Sequence, residues 1–234
     1  MQSVQAVAES SGHSVVATRV IASTLGVVAG MSGLDHGFFE ALHGNTATPG
    51  LFVQAIGPAQ RMWAYGTEDA FTIVPNFLVT GILAMILGAV IIAWSVWFID
   101  GMNGSRVFLG LGALLFMAGG GVALVGFVAL CWVVSRRIGR TSGRSAARAQ
   151  NGVRMLAARM WPACLAASVV LLSFALEIAI VGFVPGVRNP DQVQLVCWSS
   201  LAAMLVLLLL AIIGGSVHDS QRGSSPGMAP VSTR

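Results

Sequence analysis

Lysine is absent from this chain, and charge of any kind is scarce: 9% of its 234 residues are charged. A soluble domain carries about 25% charged residues, so this chain has too few polar groups to clothe a surface facing water on all sides. Cysteine is rare as well. Three residues, with no Cys-x-x-Cys pair, imply no disulfide framework, and the want of C-x-x-C-H excludes a covalently attached haem. No G-x-x-x-x-G-K-[ST], H-E-x-x-H or G-x-S-x-G run occurs, so the common phosphate-loop, zinc-protease and serine-hydrolase signatures are missing. The first eighteen residues carry no positive charge and Arg19 falls inside an apolar run, so a cleaved signal peptide is not expected.

What is present is apolar. Hydrophobic residues make up 56% of the chain and the mean hydropathy is +0.81. The expected fold is all-α, a polytopic membrane helix bundle. Five apolar runs, at about 14–34, 71–99, 107–134, 161–184 and 193–213, are each long enough to cross roughly 30 Å of hydrocarbon. They form one transmembrane domain over 14–216, between an N-terminal tail (1–13) and a Gly/Ser/Pro-rich, disordered C-terminal tail (217–234). Leu51 to Trp63 is too short to span and reads as an interfacial or re-entrant segment. Thr67-Glu68-Asp69 reads as the cap and acidic first turn of the second span. Trp94, Trp97, Trp132, Trp161 and Trp198 fall near span ends, as an aromatic belt requires.

All thirteen basic residues are arginine, and seven of them (Arg136, Arg137, Arg140, Arg144, Arg148, Arg154, Arg159) crowd into 24 residues without a carboxylate. The rest of the chain, six arginines against nine acids, has a net charge of −3. Such a loop marks the cytoplasmic face of a multi-pass protein of the cell membrane, and Arg136, Arg137, Arg140, Arg144 and Arg148 suit anionic lipid head groups. No folded nucleic-acid reader surrounds it, so nucleic acid is not an expected partner. Five spans would place the N-terminus outside and the acidic segment 35–70 inside. A second arrangement folds 107–134 into a hairpin turning at Gly119-Gly120-Gly121. Both termini then share the arginine side, and the acidic segment faces the other. Its helical arms of about twelve residues would reach only about 18 Å, half the membrane. Five full spans are preferred, because acids orient weakly and a run of 28 residues suffices for one crossing.

Chemistry concentrates in Gly33-Leu34-Asp35-His36-Gly37-Phe38-Phe39-Glu40-Ala41-Leu42-His43-Gly44-Asn45. Gly26, Gly30, Gly33 and Gly37 are spaced i, i+4, i+7 and i+11, a small-residue ridge that Ala41 and Gly44 extend. It suits close contact with another helix, including that of a second copy of the chain. If the helix continues, His36, Glu40 and His43 form a polar stripe beside the ridge. Two chemistries follow. In the leading reading, a non-enzymatic membrane protein moves a proton or small ion, or senses at the membrane. His36 and Glu40 are then its polar mouth and Glu177, with Arg19 as partner, its intramembrane acid. A carboxylate at such depth costs about 2.5–3.5 kcal/mol and ordinarily faces a partner or cavity. In the alternative, His36, Glu40 and His43 bind a divalent metal in a membrane enzyme. Glu-x-x-His is the local unit of di-iron bundles, and three ligands with an open position suit catalytic zinc. A structural or assembly role is the third reading.

Two further segments accompany the motif: Ala70-Phe71-Thr72-Ile73-Val74-Pro75-Asn76-Phe77-Leu78-Val79-Thr80-Gly81 at the second span, and the glycine triplet in the third. Together with His36, Gly37, Glu40, Gly44 and Asn45, they resemble a group of prokaryotic integral membrane proteins. These share a His-Gly-x-x-Glu-x-x-x-Gly-Asn loop after the first span and have no established activity. The resemblance covers about residues 25–125 and implies a membrane location and a shared architecture. It implies no catalytic role. That group has glutamine where this chain has His43, so the resemblance favours His36 and Glu40 as the pair that matters.

Overall fold

The computed structural model describes residues 16–138 and 152–222. In chain order these form α1 (Val16–Ala41), β1 (Phe52–Gln54), β2 (Asp69–Thr72), α2 (Phe77–Trp97), α3 (Gly104–Met117), β3 (Ala118–Gly121), α4 (Leu124–Ser135), α5 (Gly152–Val181) and α6 (Pro190–Arg222). The protein is a helical membrane bundle. Helices α1, α2, α5 and α6 are long and apolar enough to cross a bilayer, whereas α3 and α4 are shorter apolar helices.

Glycine brings α1 and α2 together. A methyl group added to Gly30 or Gly37 of α1 would lie 2.6 or 2.5 Å from the carbonyl oxygens of Gly88 or Gly81 in α2. The two backbones therefore touch, as a small-residue ridge allows. The remaining ridge glycines, Gly26 and Gly33, meet Ser95 of α2 and Phe108 and Leu115 of α3. The ridge is filled from within the chain, so it is not free to receive a second copy.

The run 107–134 is not one span. Helix α3 climbs beside α1, with Phe108 at the level of Gly26 and Leu115 at that of Gly33. The chain then extends through β3 and descends as α4, where Val128 packs on Gly112 and the Cys131 thiol donates to the Ala22 carbonyl at 3.3 Å. The glycine triplet is the bend, and Gly119 sits at φ 106°, a conformation that only glycine adopts without strain. Reach does not exclude this hairpin, because its ascending arm is not wholly helical. The 14 residues of α3 rise about 21 Å, and the extended strand adds about 3.3 Å per residue. Pairing of β3 with β2 satisfies backbone groups that no helix serves, the condition for non-helical chain inside a membrane protein.

The three strands form an antiparallel sheet in the order β1-β2-β3, with Val53 opposite Ala70, Ala70 opposite Gly121, and Thr72 opposite Ala118. Thus Leu51 to Trp63 supplies an edge strand and turns, and Asp69 opens a strand instead of a helix. The helix start moves to Asn76, whose side chain accepts the Val79 N–H at 3.1 Å. Helix α6 runs on to Arg222, so residues 217–222 are not a tail. Asp219 is buried against the start of α1, accepting from the Ala17 N–H (3.0 Å), the Thr18 N–H (2.8 Å) and the Thr18 hydroxyl (2.7 Å). These are orphan donors of a helix N-terminus, met by a carboxylate from the far end of the chain. Arg140, Arg144, Arg148 and both outermost tails lie outside the described residues.

The two ends of the bundle differ in charge. Arg19, Arg106, Arg136, Arg137, Arg154 and Arg159 lie toward the end where α1 and α5 begin, with Asp100 and Asp219. The opposite end carries Asp35, Glu40, Glu68, Asp69, Glu177 and Asp191 against Arg61 and Arg188.

Candidate functional site

The acidic end owes its site to a match of two repeats. His36 and Glu40 stand one turn apart on α1, about 6 Å along the helix axis. Gly119 and Gly121 share one face of β3, about 6.6 Å apart. The helix lies across the strand so that Glu40 packs on Gly119 and His36 on Gly121, and a methyl group at either glycine would strike the side chain above it. Gly120 points the other way, toward Leu115 and Leu124. The triplet therefore makes room for an imidazole and a carboxyl inside a packed bundle.

Sheet register brings a third group. Ala70 faces Gly121 across the β2–β3 ladder, so Glu68, just before β2, arrives beside the His36 ring. Its Oε2 lies 3.1 Å from His36 Nε2, with the two side chains 13% and 8% exposed. Burial pushes the Glu68 carboxyl up from 4.5 to about 7, because taking a carboxylate out of water disfavours its charged form. A carboxyl with its pKa near 7 exchanges its proton close to neutral pH. Asp35 is close enough to couple electrostatically to both Glu68 and His36.

Glu40 is fully buried at 0% exposure, and neither of its oxygens has a hydrogen-bond partner; His36 Nδ1 is likewise unpartnered. The Thr80 hydroxyl stands beside the carboxyl, but its proton goes to the Ala118 carbonyl at 2.7 Å. The Thr72 hydroxyl then donates to Thr80 at 2.7 Å and accepts the Val74 N–H at 3.0 Å. An unpaired carboxyl in such surroundings is far cheaper to bury neutral than ionised.

His43 does not join them. Helix α1 ends at Ala41, and Gly44 at φ 69° turns the chain, so the helical spacing of Glu40-x-x-His43 is lost. The His43 ring stacks on Phe77 with centroids 4.2 Å apart, and its Nε2 lies 3.0 Å from the Ala55 carbonyl oxygen. It pins the loop. Among the described residues no group of three His, Cys, Asp or Glu side chains is placed to hold a metal ion, so the metal set His36, Glu40 and His43 does not assemble. Glu177 also stands apart, exposed on α5 about one turn before Val181, on a helix packed chiefly on α6. Arg19 is not its partner, since its Nε lies 2.8 Å from Asp100 Oδ2. Of the acids available to complete the site, Glu68, Asp69 and Glu177, it is Glu68 that the fold sets beside His36. A carboxylate beside the strand-like Ala70-Phe71-Thr72-Ile73 was the available signal, and the helix-start reading of Thr67-Glu68-Asp69 hid it.

The loop carrying Glu68 is tied to the turn between α5 and α6. Trp63 Nε1 donates to the Ala179 carbonyl at 2.8 Å, and its ring packs on Gly182 at φ 69°. The Tyr65 hydroxyl donates to Asp191 at 2.6 Å, which raises the phenol's pKa. At the far end Arg136 and Arg137 are exposed, where anionic head groups could reach them. No family model matches the chain, and no curated protein or solved structure matches it.

Proposed function

We propose that the protein binds and releases a proton at its acidic end and so responds to pH on that side of the membrane. The observation that carries this is the near-buried His36–Glu68 pair, 3.1 Å apart, with a carboxyl poised at about 7. The positive-inside rule makes the arginine-rich end cytoplasmic, so the acidic end faces outward from the cell membrane. Sensing is favoured over conduction by the packing below the site. Leu25, Ala29, Ile91, Phe108 and Leu115 fill the bundle there as one apolar core, so the proton enters and leaves by the same face. A charge appearing on Glu68 acts on the loop that Trp63 and Tyr65 fasten to the α5–α6 turn, which gives the signal a route to the second hairpin.

The test uses the purified protein in sealed vesicles, with a pH jump and an indicator dye to count protons. Wild type should take up a proton near neutral pH from one face only; Glu68→Gln should remove the component with a midpoint near 7, and His36→Gln should shift it. Unchanged uptake in both variants would overturn the proposal. Sustained flux across the vesicle wall would replace sensing by translocation.

A further inference from the structure

The arginine-rich end holds a cavity of about 670 Å³ between the 98–103 turn and the end of α4. Asn103, Ser105 and Arg106 line it from the start of α3, and Trp132, Ser135 and Arg136 from α4 and its exit. Among the described residues neither Arg106 nor Arg136 forms an ion pair, and the guanidinium of Arg136 lies over the Trp132 ring, 4.8 Å from its centroid. That cation–π contact holds the group in place without cancelling its charge. Asp100 also borders the space, but Arg19 neutralises it at 2.8 Å. The cavity is thus doubly positive, with hydroxyl and amide side chains between the charges. The positive end of the α3 dipole lies at its wall.

We propose that this cavity binds the phosphate of an anionic phospholipid head group. Guanidinium groups recognise phosphate oxygens through paired N–H donors, and one on each wall lets the site grip from two sides. The surroundings point to lipid. Exposed Phe98, Met102 and 66%-exposed Trp97 flank the turn, the aromatic and apolar surface found where acyl chains meet head groups. The volume is also much larger than a bare phosphate needs. The site is at the opposite end of the bundle from His36 and Glu68, so it stands or falls independently of the proton site.

The experiment measures retention of phosphatidylglycerol by the full chain in detergent, by native mass spectrometry. Phosphatidylcholine serves as the neutral lipid, and glycerol phosphate as the soluble competitor. Each basic side chain near an anionic membrane surface is worth roughly five-fold in affinity. Arg106→Gln and Arg136→Gln should each weaken phosphatidylglycerol binding by about five-fold and the double variant by about thirty-fold. The single variants keep the test readable if the double variant folds poorly. Arg137→Gln, outside the cavity, should change little, and phosphatidylcholine should not be retained. Displacement by glycerol phosphate that depends on the same two arginines would retain the phosphate site and assign it to a soluble ligand. Equal loss in Arg137→Gln, or wild-type retention in the double variant, would overturn the proposal in favour of diffuse surface charge.

Discussion

Replacing Glu68 by glutamine removes the carboxyl that burial pushes up from 4.5 to about 7 while leaving a side chain of nearly the same shape. A shift of this size corresponds to about 3 kcal/mol of pH-dependent stability. At 13% exposure the side chain leaves little solvent to screen that value. The sign follows from which state holds the proton more tightly. The folded protein does, so the stabilisation is fully present below about pH 4.5, declines as pH rises, and is gone above about 7. Reversible unfolding in micelles, followed by tryptophan fluorescence from about pH 4 to about pH 8.5, measures it. The difference between wild type and Glu68→Gln should move by about 3 kcal/mol across that range, in favour of the variant at the alkaline end. Parallel curves would refute the assignment, because a Glu68 with an ordinary pKa in both states contributes no slope.

Three other outcomes follow from the same packing. Gly121→Ala puts a methyl group into the His36 ring and should cost about 1–3 kcal/mol in unfolding experiments while shifting the midpoint of proton uptake; Gly110→Ala, which meets nothing within 4 Å, should be neutral or slightly stabilising. Gly30→Ala brings a methyl group 2.6 Å from the Gly88 carbonyl oxygen, where ordinary contact starts at 3.4 Å, so α1 and α2 must part, with a loss of about 1–3 kcal/mol visible as a lower Tm. Asp219→Ala strips three hydrogen bonds from the first turn of α1 and should destabilise by about 2 kcal/mol; Asp219→Asn should lose less.

The helices were legible because long apolar runs leave a chain few other choices, and the ridge of Gly26, Gly30, Gly33 and Gly37 did mark a close helix contact. Its partner was not legible, since Gly81 and Gly88 look ordinary until α2 is seen to run antiparallel. Helical rise throughout would leave the hairpin at Gly119 too short to cross, and the extended β3 removes that constraint. His36 and Glu40 were found from their spacing alone. The pairing of Glu68 with His36 was not legible, because strand register brings the two together from 32 positions apart along the chain. Glu177 drew attention as an acid amid apolar neighbours, a pattern that does not tell a buried face from an exposed one near a helix end. Asp219 falls in a polar stretch that resembles a disordered tail, although its polarity serves the N-terminus of α1.

The central claim is that the Glu68 carboxyl, buried beside His36, holds a proton and loses it near neutral pH. Infrared difference spectra of the reconstituted protein, recorded from about pH 5 to about pH 8.5, observe the protonated carboxyl directly. The account predicts a carboxylic-acid band that disappears with a midpoint near 7 and is absent from Glu68→Gln. Wild-type and Glu68→Gln spectra that titrate identically across that range, or no carboxyl titrating near 7, would contradict it.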